Sequence, residues 1–146
     1  MPTQLSQHFS LEEFIRSDTA QAMGEPNLPT PEHRKNLEIL ADHMEKVRDL
    51  FGVPVLITSG YRNPKVNAAV GGVPNSDHAV GLAADFHVDG IDDLHAARKI
   101  RDSTLNFDQL ILERGRCVHM SFVSKMRRQV LRQPGGPGST VFDGLE

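Results

Sequence analysis

The chain has a single cysteine, Cys117. No internal disulfide is available to it, and the fold can form in a reducing compartment. Aromatic residues make up only 5% of the sequence against 38% hydrophobic residues in all, so the core is expected to be aliphatic and modest in size. No hydrophobic run approaches the roughly 20 residues of a membrane-spanning helix. The opening Met1-Pro2-Thr3-Gln4-Leu5-Ser6 lacks the charged and apolar regions of a secretory signal. Synthesis in the cytoplasm without a signal peptide is therefore expected. Positive charge is not in excess either, with 16 Lys and Arg against 19 Asp and Glu and a formal net charge of -3. That balance argues against a nucleic-acid partner, whose usual footprint is a basic face. A chain of 146 residues supports one ordinary core and is too short for two. Residues 1–132 are read as one domain, and residues 133–146, opening on Pro134-Gly135-Gly136-Pro137-Gly138, as a flexible tail.

The sequence does contain Ser76-Asp77-His78-Ala79-Val80-Gly81-Leu82-Ala83-Ala84-Asp85 and, further on, Cys117-Val118-His119-Met120-Ser121-Phe122. Two imidazoles and one carboxylate, His78, Asp85 and His119, are the ligand set of a catalytic zinc that keeps its fourth position for water.

Local signals place these residues on elements. Ser10 with Glu13 three residues on is a capping box for a short helix that turns Leu11, Phe14 and Ile15 inward. Thr30 and Pro31 open a long helix with Leu37, Leu40, Met44, Val47 and Phe51 at helical spacing, closed by Gly52. Val53–Thr58 reads as a buried strand, and Asn63-Pro64 starts a helix of about two turns that ends at Gly71-Gly72. Residues 72–81 read as a loop. Strands are predicted over Leu82–Val88, Asp108–Glu113 and Cys117–Phe122, a helix over Asp92–Arg101, and an edge strand over Met126–Leu131. The basic residues Lys125, Arg127, Arg128 and Arg132 read as solvated edge-strand charges.

Strand alternation then tests the ligand set. Leu82, Ala84 and Phe86 share a core face, leaving Ala83, Asp85 and His87 on the other; Val118, Met120 and Phe122 are core, leaving Cys117, His119 and Ser121. Both strand-borne ligand candidates fall on the polar face. Arg114-Gly115-Arg116 is a three-residue hairpin connection, which sets Glu113 opposite Cys117 and Ile111 opposite His119. Glu113 then shares the ligand face, within side-chain reach of a metal-bound water. Cys117 as a fourth ligand, closing the site into a structural zinc, is the alternative on that face. Ser121 is read as supporting the site by a hydrogen bond, Asp77 as a loop residue beside the ligands, and His87, His8, His33, His43 and His95 as ordinary partly exposed histidines.

The pattern Ser-x-His-x-x-Gly-x-Ala-x-Asp followed by His-x-Ser resembles the zinc D-Ala-D-Ala carboxypeptidases and L-Ala-D-Glu endopeptidases of peptidase family M15. So do Ser59-Gly60-Tyr61-Arg62-Asn63-Pro64, Val66-Asn67, Gly71-Gly72 and the opening His8-Phe9-Ser10-Leu11-Glu12-Glu13-Phe14, giving a likeness over roughly residues 5–132. The resemblance implies an α+β fold with an antiparallel sheet, helices on one face and the zinc cleft on the other, as in the Hedgehog signalling domain. It implies zinc on His78, Asp85 and His119, an arginine at Arg62 that binds substrate or stabilises the oxyanion, and a serine at Ser76 that bonds substrate or a ligand. Its substrate is the peptidoglycan stem peptide. A phage endolysin-like L-Ala-D-Glu endopeptidase is favoured over a carboxypeptidase, acting as a monomer on the wall after holin-type release, dedicated export or incorporation in a virion.

One position departs from that pattern. Many family members carry Glu or Asp three residues before the last zinc histidine as general base, and here Arg116 stands there. Glu113 is the replacement base. A virion or cell-wall module that keeps the fold without cleaving, and a peptidase for some non-wall peptide, are the remaining readings.

Overall fold

The computed structural model describes residues 3–136 and 138–146. Among them five α-helices, α1 (Leu11–Ile15), α2 (Asp18–Met23), α3 (Pro31–Phe51), α4 (Pro64–Ala69) and α5 (Asp93–Arg101), accompany six strands. The strands are β1 (Val55–Ser59), β2 (Ala83–Val88), β3 (Gln109–Glu113), β4 (Cys117–Ser121), β5 (Gln129–Gln133) and β6 (Phe142–Asp143), forming one sheet in the order β1-β2-β4-β3-β5-β6.

The caps read from the sequence form as expected. Ser10 and Glu13 close a full capping box on α1, Thr30 caps α3 with Pro31 in its first turn and Asn63 caps α4, while Asp92, read as the first residue of its helix, is the cap of α5. Helix α2 was not anticipated; Ser17 caps it and Gly24 ends it in the left-handed region. Six residues are too few for a periodic signal to stand out.

Helix α3 buries Leu37, Leu40, Ala41, Met44 and Val47. They meet the sheet face formed by Ala84, Phe86, Val88, Leu110, Leu112, Val118 and Met120, with Ala96, Ala97 and Ile100 of α5 and Phe9, Leu11 and Phe14 of the N-terminal segment completing the core. Fully burying one such large side chain is worth about 1.5–3 kcal/mol. Alternation therefore assigns the faces of β2 and β4 correctly, and the other face is left for chemistry.

The sheet is mixed, which corrects the expected antiparallel one: β3 and β5 run parallel from Gln109↔Gln129 to Glu113↔Gln133. The cause lies in residues 122–128. Ser121 lies opposite Gln109, so the chain leaves β4 at the end where β3 begins. There Asp108 accepts from the Arg127 backbone at 3.1 Å and from its guanidinium twice at 2.9 Å. Arg128 donates to the carbonyls of Leu105 and Ser103 at 2.8 and 2.9 Å. These bonds seat the start of β5 beside the start of β3. The same bonds give Arg127 and Arg128 fixed partners, Arg128 becoming half-buried while Arg127 stays exposed as expected.

Nor is β5 the edge. Strand β6 covers it through Leu131↔Asp143 and Arg132↔Phe142, and Leu145 is buried. The segment expected as a flexible tail thus returns to the sheet, although Pro137 of its connector lies outside the described residues. No helix among the described residues is long and apolar enough to cross a membrane.

Candidate metal centre

Strand pairing makes Asp85 and His119 direct partners across β2 and β4. The β3–β4 ladder is regular from Gln109↔Ser121 to Glu113↔Cys117, so Ile111 faces His119 as the hairpin argument requires. On the other side, β1 skips a residue between Ile57↔Phe86 and Ser59↔Asp85. This bulge bends β1 away beside Asp85 and delivers Gly60 to the site.

His78 comes from a 3-10 turn, Asp77–Val80, that breaks the loop expected over residues 72–81. Ser76 caps it, its Oγ accepting from the His78 backbone at 3.2 Å. Gly81 ends it at φ 83°, where an added Cβ would stand 3.0 Å from the His33 carbonyl and 3.2 Å from Leu37. Both the backbone conformation and the close approach of α3 therefore require glycine there. The His78 carbonyl accepts from the Arg62 backbone at 3.1 Å, joining the turn to the Ser-Gly-Tyr-Arg loop.

His78 is 2% exposed and its Nδ1 donates to the Gly60 carbonyl at 2.7 Å. That bond fixes the tautomer and leaves Nε2 with its lone pair toward the other ligands. Nε2 lies 3.2 Å from Asp85 Oδ1 and 3.2 Å from His119 Nδ1, which itself lies 2.9 Å from Asp85 Oδ1. Ligands about 2.0–2.1 Å from a tetrahedral zinc stand about 3.3 Å apart. The three donor atoms match that spacing, so the group can hold a metal.

The three groups shift one another's ionisation. Burial raises the Asp85 carboxyl, but His78 and His119 outweigh it and hold the group well below the usual carboxylate range. Burial pulls His119 down, while the Asp85 hydrogen bond and the charges of Asp85 and Glu113 carry it above its ordinary value.

The centre lies in a cleft of about 600 Å³ whose lining includes Arg62, Ser76, Glu113, Arg116 and Cys117. The expected ligands His78, Asp85 and His119 are thus brought together with Glu113, Arg62 and Ser76 in one cleft. Burial depresses the Arg62 guanidinium, with Asp85 and Glu113 opposing, and its Nε has no hydrogen-bond partner among the described residues. Glu113 accepts from Cys117 Sγ at 3.0 Å and pairs with Arg116 at 3.3 Å. Ligand atoms of Asp85, Glu113 and Cys117 lie within 4.8 Å of one another, which puts Glu113 beside the centre. Burial, with Asp85 and Glu113 beside it, pushes the Cys117 thiol far up, and the thiol spends its proton on the Glu113 carboxylate. Ser121 is buried and its Oγ finds no partner among the described residues, against the supporting bond expected of it. His87 pairs with Asp93 at 2.8 Å and takes no place in the cleft. A second cavity of about 160 Å³, between His43, Leu105, Met120 and Phe122, touches none of the ligands.

One organising residue had no distinctive signal. Asn27 is 1% exposed at φ 53°, donates to the carbonyls of Ile15 and Tyr61 at 2.8 and 2.9 Å, and accepts from the Asn63 backbone at 2.8 Å. It ties α1 to the loop that carries Gly60 and Arg62. In the sequence it looks like one more turn residue before Pro29; asparagine's tolerance of the left-handed region fits the position but marks many turns equally.

A sheet carrying an aspartate and a histidine, with a second histidine brought to them by a 3-10 turn in the same cleft, defines a candidate metallohydrolase. The Peptidase M15 family model matches residues 7–121, and the chain belongs to that family, whose members are zinc-dependent peptidases. A comparison with curated proteins found no match.

Proposed function

We propose that the protein hydrolyses a peptide bond in peptidoglycan stem peptides, with the L-Ala to D-Glu bond as its target. The observation that carries this reading is the His78, Asp85 and His119 triangle in an open cleft flanked by a carboxylate and a guanidinium. Zinc on these three ligands supplies Lewis-acid polarisation and brings a water's acidity toward neutral pH. Glu113 takes the proton of the attacking water and returns it to the leaving amine. Arg62, a fixed cation in the cleft lining, orients the scissile carbonyl and stabilises its developing negative charge. Ser76 holds the His78 turn through its cap and presents its hydroxyl to the cleft. The Gly60 carbonyl keeps His78 in the ligating tautomer.

The same Arg62 would take the terminal carboxylate of a D-Ala-D-Ala substrate, the alternative within this class. A second class of function, a wall-binding or virion module without turnover, draws support from Glu113 itself. Both its oxygens already carry a hydrogen bond or ion pair, from Cys117 and Arg116.

Mass spectrometry of muropeptides after digestion of purified peptidoglycan, with and without a chelator, tests the reading. New amino termini at D-Glu that disappear on chelation support it. Loss of one terminal D-Ala from otherwise intact stems shows the carboxypeptidase instead. A zinc-loaded protein that binds the wall and releases nothing is the module.

A further inference from the structure

The segment after β5 lines the cleft through Gln133, Gly138, Ser139 and Val141. Its attachment runs through Arg116, the residue that stands where many relatives place their base. Arg116 Nη2 donates to Gln133 Oε1 at 2.9 Å and to the Gly135 carbonyl at 3.2 Å, while its Nη1 lies 3.3 Å from Glu113 Oε1. Gln133 in turn donates to the Ser139 carbonyl at 3.0 Å. Gly135 is packed so tightly that an added Cβ would stand 2.7 Å from the Ser139 side chain. Beyond the cleft the chain is fixed again, by β6 and by the buried Leu145. One guanidinium therefore holds two things at once: the carboxylate beside the metal ligands and the segment that borders them.

Building on the peptidase reading, we propose that residues 133–136 and 138–141 are a substrate-binding wall and that Arg116 is the positioning residue clamping this wall and Glu113 together. The wall also has a chemical preference. Val141 is 41% exposed and Val73 61%, and both line the cleft together with Val70 and Ile111. Such a lining selects a peptide with an uncharged aliphatic side chain beside the cleaved bond. Arg116 touches no reacting atom in this scheme; it acts through Glu113, Gln133 and Gly135.

The test compares wild type with Arg116→Ala, Arg116→Lys and Val141→Asp, each checked for zinc content and thermal stability. Amide hydrogen exchange reads the clamp without reference to activity. Arg116→Ala should raise exchange at residues 135, 136 and 138–141 by about tenfold or more while β3 and β4 stay protected, and Arg116→Lys should recover part of the protection. On whichever peptide wild type cleaves, Val141→Asp should raise KM about tenfold with kcat within about threefold. Unchanged exchange in Arg116→Ala, or an unchanged KM in Val141→Asp, overturns the proposal. Cleavage of a non-wall peptide alone would remove the peptidoglycan assignment and leave both readouts intact. If wild type cleaves no peptide, the peptidase reading fails, and with it the wall's role in substrate binding, whatever the exchange shows.

Discussion

Glu113 holds the position on which turnover depends in the proposed mechanism. Glu113→Gln keeps size and polarity but accepts no proton and only one of the two existing contacts, so turnover should fall by about 10² to 10⁴ with zinc content and the fold retained; steady-state kinetics beside metal analysis check this. His78→Ala, Asp85→Ala and His119→Ala should each lose the metal. Asn27→Ala acts differently, because it leaves two carbonyls and one backbone N–H without their partner. Each buried group so stranded costs about 1–3 kcal/mol, and a loss of at least about 2 kcal/mol is expected in denaturant unfolding. The contrast explains what was legible at this scale. His78, Asp85 and His119 announce themselves by residue type and spacing, since metal ligation admits few side chains. The importance of Asn27 comes from partners 12, 34 and 36 residues away, which no local pattern records.

Elements convert spacing into geometry. Alternation along β2 and β4, with a three-residue hairpin after β3, suffices to set Asp85, His119 and Glu113 on one face, because side-chain direction has a strict period of two. The direction of β5 was not readable in the same way. It follows from the Asp108–Arg127 and Arg128 anchors, which are contacts across about 20 residues rather than a turn signature. Helix α2 escaped for lack of length. Gly81 is the element-scale test of the His78 turn: Gly81→Ala forces a side chain into a left-handed backbone against α3. A strain of about 1–3 kcal/mol is expected, together with weaker zinc binding by titration as the turn shifts.

The whole molecule balances few strong polar anchors against an aliphatic core. Asp108 is fully buried, and the Arg127 hydrogen bonds, opposed by burial, hold its carboxyl below the ordinary range. A carboxylate depressed in the folded state stabilises it above its unfolded pKa of about 3.9, and that contribution is lost as pH falls through the lower folded value. Asp108→Asn should therefore lower the melting temperature at neutral pH and flatten its decline in acid, a comparison made by calorimetry across pH 2–7.

The tightness of the ligand triangle has a consequence for endurance as well as chemistry. His78 and His119 are 41 residues apart in sequence yet meet at 3.2 Å, in a chain whose lone thiol denies it a covalent staple. A bound ion would join the turn, β2 and β4 as a cross-link does, and any species that binds only the folded state adds about 4 kcal/mol at a thousandfold excess over its Kd. Stripping the metal should then do more than silence turnover: it should open the chain to proteases at temperatures the loaded form survives.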